Sequence, residues 1–149
     1  MFMKRLFFNL LITSLVIGGL AELKVAAQRT ATITGALSYP TDAGLPRMIV
    51  CAEAVNSPGI HCTDRRIPNR RRGRTTYKLA VPAGTYYVFA TVANGEELGE
   101  GFEGYKAYYS DFVKCGLSIN CPSHAPIKVT LRAGQTLTGI DPGDWYVNN

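Results

Sequence analysis

Apolar and polar residues alternate with a period of two through most of the chain, the pattern of strands with one face buried. The clearest stretch runs from Thr75 to Val92. Tyr77, Leu79 and Val81 share one face of its first half, and Tyr86, Val88, Ala90 and Val92 share one face of its second. Pro82-Ala83-Gly84 between them predicts two strands paired over a tight turn, with proline fixing φ and glycine accepting a positive φ. The same alternation predicts a first strand over Thr30–Leu37 and a second over Arg47–Ala54. A short third strand, Ile60–Thr63, would fold back on the second across the turn Asn56-Ser-Pro-Gly59. Ile127–Leu131 and Thr136–Ile140 are predicted strands separated by the turn Arg132-Ala-Gly-Gln135. Tyr105–Val113 fits either a strand or an irregular aromatic segment, and Tyr39–Pro46 and the acidic, glycine-rich Asn94–Gly104 are predicted loops.

Fifteen glycines and eight prolines are spread along the chain, and helical spacing is not sustained beyond about a turn. Seven or eight short strands with frequent turn signals predict an all-β, two-sheet sandwich in a single domain, residues 28–149. Residues 1–27 are expected to be a cleaved signal peptide. Lys4 and Arg5 precede an apolar run over Leu6–Leu20, and Val25-Ala-Ala27 supplies small residues before Gln28. A retained membrane anchor fits less well, because the run is interrupted by Asn9, Thr13 and Ser14 and falls short of the about 20 residues that span hydrocarbon. Removing this segment takes away three basic residues and one acidic, so the formal charge falls from +5 to +3. That excess is too small to argue for nucleic acid, and no membrane span is expected after cleavage.

Cys51, Cys62, Cys115 and Cys121 form an even set in the exported part, as expected of a protein in an oxidising compartment. Of the three possible pairings the local one, Cys51–Cys62 with Cys115–Cys121, is predicted, since each pair brackets a turn. The spacing matches no zinc pattern, even with His61 and His124 added, so no metal and no cofactor are expected.

The strand Ile33-Thr-Gly-Ala-Leu37, the loop ending in Leu45-Pro46, the run Tyr77-Lys-Leu-Ala-Val-Pro-Ala-Gly-Thr-Tyr86 and the stretch Val129–Asp141 together resemble the carboxypeptidase regulatory-like or prealbumin-like (transthyretin-like) sandwich modules of secreted bacterial proteins. The resemblance implies a sandwich that is not itself catalytic. The chain departs from those modules in its four cysteines and in the arginine-rich segment before Tyr77, and no enzyme domain is expected beside it.

Candidate chemistry is concentrated in two places. Asp64–Arg74 holds six arginines, Arg65, Arg66, Arg70, Arg71, Arg72 and Arg74, predicted to lie on one loop. Guanidinium groups bind carboxylate, sulfate and phosphate through paired hydrogen bonds, so the expected partner is an acidic polysaccharide or an acidic protein surface. The alternative is a solvated loop, or one that pairs with the acidic residues Glu96, Glu97, Glu100 and Glu103. Those carboxylates lack the ligand order of a calcium loop. The second place is aromatic. Tyr87, Phe89, Tyr108 and Tyr109 are candidates for a sugar-stacking surface, or else rings that cover one sheet beneath the 105–121 segment. Tyr86, just past Gly84, resembles a corner tyrosine bonded to backbone. No catalytic residue is expected. His61 adjoins a cysteine, His124 has no evident carboxylate partner, and Ser123 beside His124 is not placed to form a nucleophile–base pair.

Overall fold

A computed structural model describes residues 30–40, 44–69, 73–93 and 104–146. The expected signal peptide, Arg70–Arg72 and the acidic residues Glu96, Glu97, Glu100 and Glu103 lie outside them. The described residues form nine strands and one short helix: β1 Thr30–Leu37, β2 Met48–Ala54, β3 Ile60–Thr63, β4 Arg66–Asn69, β5 Arg74–Pro82, β6 Gly84–Val92, β7 Ala107–Tyr108, α1 Asp111–Lys114, β8 Lys128–Leu131 and β9 Thr136–Leu137. No helix among them is long and apolar enough to cross a membrane.

The strands make a two-sheet, all-β sandwich. One sheet has the order β4-β5-β1-β9, and the other β3-β2-β6-β7 with β8 also paired to β6. In the first sheet β1 runs antiparallel to β5 from Thr30 opposite Pro82 to Leu37 opposite Thr75, and parallel to β9. In the second, β2 lies between β3 and β6. Alternation decides what faces inward: Ala31, Ile33 and Leu37 from β1, Met48, Val50 and Ala52 from β2, Tyr77, Leu79 and Val81 from β5, and Tyr86, Val88, Ala90 and Val92 from β6. Each large side chain so buried stabilises the fold by about 1.5–3 kcal/mol before conformational entropy is subtracted. Both disulfides join the cysteines predicted, Cys51 to Cys62 and Cys115 to Cys121. The first links residues directly opposite each other on β2 and β3.

The two halves of Thr75–Val92 are strands, but they do not pair with each other. Pro82-Ala83-Gly84 is an arch that carries the chain from β5 in one sheet to β6 in the other. Period-two patterning is identical for a hairpin and an arch, because both put the apolar faces of the flanking strands into one core. Gly84 is also not needed for a positive φ, which it does not adopt. Its small size matters instead, since a Cβ there would sit 3.1 Å from the Tyr86 hydroxyl. That hydroxyl donates to the Pro82 carbonyl at 2.9 Å and holds the corner, the bond expected of a corner tyrosine.

The segment after β9 closes the sandwich. The expected strand Thr136–Ile140 stops at Leu137, and Gly139 turns the chain with φ +74 before Ile140 N rejoins β1 by donating to Thr34 O at 3.1 Å. Ile140 lies against Gly35, where any side chain would overlap the Ile140 carbonyl. That carbonyl accepts the buried Tyr77 hydroxyl at 2.7 Å. Four residues on, Asp144 bridges to Tyr108 of the opposite sheet. Trp145 then donates from Nε1 to Ser38 O at 2.8 Å and packs edge-on against Tyr39. Tyr105–Val113, ambiguous in sequence, divides into β7 and the start of α1.

Burial, reinforced by Asp141 and Tyr109, holds the Tyr77 phenol protonated far above its ordinary pH range. The unfolded chain ionises near pH 10 while the folded one does not, so stability falls as pH rises beyond about 10, at about 1.4 kcal/mol per pH unit from this group. Tyr77→Phe should cost about 1–3 kcal/mol at neutral pH, because the Ile140 carbonyl loses its donor. It should also flatten the alkaline decline. Urea unfolding at a series of pH values measures both effects.

Candidate functional site

The outer face of the β4-β5-β1-β9 sheet carries two cations in line, with the exposed Ile67 beside them. With Tyr77 and Leu79 turned inward, alternation sends Arg74, Thr76 and Lys78 outward from β5. The register places Asn69 opposite Arg74, Ile67 and Ala36 on either side of Thr76, and Thr34 opposite Lys78. Thr138 and Asp141, from the segment after β9, complete a groove of about 390 Å³ along this face. Thr76 donates from its hydroxyl to Ile67 O at 3.1 Å, which fixes its rotamer. Asp141 accepts the Ala36 N–H through Oδ1 at 2.7 Å, which fixes the carboxylate at the end of the groove. Among the described residues the ion pairs are Arg47–Asp64, Lys106–Glu53 and His124–Asp144. Arg74 and Lys78 enter none of these pairs, and both are exposed.

The arginines do not lie on one loop, as the sequence alone had implied. Arg66–Asn69 is a strand, β4, and its alternation divides its side chains between two faces. Arg66 is opposite the inward-facing Tyr77, and its guanidinium donates to the carbonyls of Leu45 and Pro46, at 3.4 and 3.1 Å. It therefore ties down the 44–47 segment. Arg65 is exposed beside β4, with its backbone N–H bonded to the Thr63 hydroxyl. Of the arginines described, Arg74 alone lines the groove, joined there by Lys78 and Asn69. Lys78 was legible in sequence as a residue opposite in phase to Tyr77 and Leu79, but a single lysine gives no compositional signal.

The aromatic candidates do not make an open platform. Phe89 is only 3% exposed, covered by the Tyr108 ring at 5.5 Å and by Lys106, whose Nζ lies 4.5 Å from its centroid. Tyr109 is 6% exposed and belongs to the core, because it follows Tyr108 and so points the other way. Tyr87 is half-buried with Lys128 Nζ at 5.9 Å from its ring centre.

His124, which lacked a partner in sequence, has one in the fold. Its Nδ1 lies 3.1 and 3.0 Å from the two carboxylate oxygens of Asp144, and its ring stacks on Phe112 at 4.2 Å. Asp144 is 1% exposed and also accepts the Ser110 hydroxyl at 2.6 Å. Ser110 precedes α1 but leaves its cap unmade, because its hydroxyl is turned to this carboxylate. Ser123 donates to Asp111 Oδ2 at 2.8 Å. Both serines thus give their protons to carboxylates and not to the imidazole, so the cluster is arranged as a brace between the 110–126 segment and the C-terminal segment. His61 sits apart, edge-on to Tyr86.

Comparison with protein-family models, with curated proteins and with solved structures gave no match to this chain. The site is therefore read from its own geometry.

Replacing Asp144 with Ala should destabilise the protein by about 1–3 kcal/mol, since the buried Ser110 hydroxyl would lose its acceptor. His124→Ala should cost less, because the imidazole is 37% exposed and its bond is partly replaceable by water. Parallel urea unfolding of the two variants would show the order.

Proposed function

We propose that the protein is a non-catalytic binding module of the prealbumin-like kind, working outside the cytoplasm, that takes an acidic polysaccharide on the outer face of the β4-β5-β1-β9 sheet. The observation that carries this reading is the pair Arg74 and Lys78, outward on one strand and roughly 13 Å apart along it. Thr76 lies between them, with Thr34 beside Lys78 and Asn69 beside Arg74. Cations separated by hydrogen-bonding groups suit a chain of sugars that bears carboxylate or sulfate groups along its length. The sequence adds Arg70, Arg71 and Arg72 between Asn69 and Gly73, which raises the local positive charge. An acidic protein surface is the less favoured partner, because the exposed Ile67 is the one large apolar side chain the groove offers to a protein interface among the described residues. Stacking of neutral sugar on Tyr87, Phe89, Tyr108 and Tyr109 is disfavoured by the burial of Phe89 and Tyr109. Location outside the cytoplasm is supported by the two disulfides, which persist in oxidising compartments, and by the apolar, positively led N-terminal sequence.

Binding to immobilised acidic glycan should weaken steeply between about 0.01 and 0.15 M salt, as the screening length shortens from about 30 to 8 Å. The double variant Arg74→Ser, Lys78→Ser should lose about tenfold or more in affinity with an unchanged unfolding midpoint. Undiminished binding by that variant would remove the reading.

A further inference from the structure

The groove that holds Arg74 and Lys78 does not end at Asp141. A second depression of about 370 Å³ shares Ala36, Arg74 and Asp141 with it and continues past Ser38 and Gly143 to Val113 and Leu117. The first carries Lys78, the hydroxyls of Thr34, Thr76 and Thr138 and the exposed Ile67 beside the shared Arg74, whereas the lining beyond the seam is small residues, Ser38 and the aliphatic Leu37, Val113 and Leu117. Leu117 is 42% exposed and adopts φ +57, a backbone region costly for a leucine. It is held there within the loop closed by Cys115–Cys121, by its N–H donating to Phe112 O at 2.9 Å. The Asp141 carboxylate is at the seam, immobilised through Oδ1 by the Ala36 N–H.

Resting on the reading above, we infer that Asp141 makes the module selective for a linear glycan in which acidic and neutral sugars alternate, against one acidic at every unit. One acidic unit lies over Lys78, and another, about 13 Å further along the strand, lies over Arg74. The unit next to it along the chain lies at the seam, where a second carboxylate or sulfate would meet the fixed Asp141 carboxylate and be repelled. A neutral sugar there offers hydroxyl or amide protons to that carboxylate and an apolar ring face or acetyl methyl to Leu117 and Val113. Discrimination arises because the unfavoured polymer brings a like charge to the seam, while the favoured one brings donors.

The probes are hyaluronan oligosaccharide, with an acid on alternate units, and oligogalacturonate of equal length, with an acid on each. Wild-type protein should bind the first about tenfold or more tightly, as measured by calorimetry at low salt. Asp141→Asn, which keeps an acceptor for Ala36 N–H, should strengthen oligogalacturonate binding until the two differ by about threefold or less. Leu117→Ser should weaken hyaluronan binding alone and so tests the far groove independently. Equal affinity of the wild type for both polymers, or a preference unaltered in Asp141→Asn, would overturn the inference while leaving the Arg74 and Lys78 site standing. Binding of both polymers that is indifferent to Arg74→Ser, Lys78→Ser would instead overturn the site itself, and the selectivity with it.

Discussion

Residues Ile140–Asp144 belong to neither sheet, yet they bind both. Ile140 hydrogen-bonds to Thr34 on β1 and accepts the buried Tyr77 hydroxyl from β5. Asp144 then pairs with Tyr108 and accepts Ser110 and His124 from the other side of the sandwich. A chain so short can reach from one sheet to the other only if it approaches β1 closely, and Gly35 permits this by presenting no side chain. Enlarging Gly35 would push away the strap and the polar contacts it makes. The position of Asp141 at the end of the outer groove follows from the same approach, since it is the next residue along.

The inner and outer faces of β5 show how one strand serves stability and recognition together. Tyr77, Leu79 and Val81 are removed from water, and the intervening Arg74, Thr76 and Lys78 are thereby compelled to face out. The geometry of the candidate site is thus as firm as the core, because shifting its cations would require exposing core residues. Rigid placement on a strand lowers the entropy lost on binding, compared with the same charges carried on a loop.

Two carboxylates in the C-terminal strap have opposite surroundings. Asp144 is buried and surrounded by donors, so its charge is fully engaged within the molecule. Asp141 is half-buried and bonded to backbone through one oxygen at the rim of a groove, which leaves its charge effective toward whatever enters. Arg66 and Arg74 make a similar contrast. One is absorbed by the carbonyls of Leu45 and Pro46, while the other faces a groove. Residue type alone does not separate the members of either pair.

Local alternation by itself determined which segments are strands and which of their residues face the core, as in β1, β2, β5 and β6. It also made the disulfide pairing legible, since each short cysteine loop brackets a turn. Sheet membership was decided only by tertiary structure. A period of two describes one face of a strand and carries no information about its neighbour, so the Pro82–Gly84 arch looked like a hairpin turn. β4 was hidden because its charged residues lie on an edge that buries little and leaves no apolar pattern. The groove was legible only in part, through Arg74. Its union with Lys78, Asn69 and Asp141 depends on cross-strand register, and the bond of His124 to Asp144 depends on a return of the chain across 20 residues. Such partners meet because packing brings distant segments together, and no local spacing encodes that meeting.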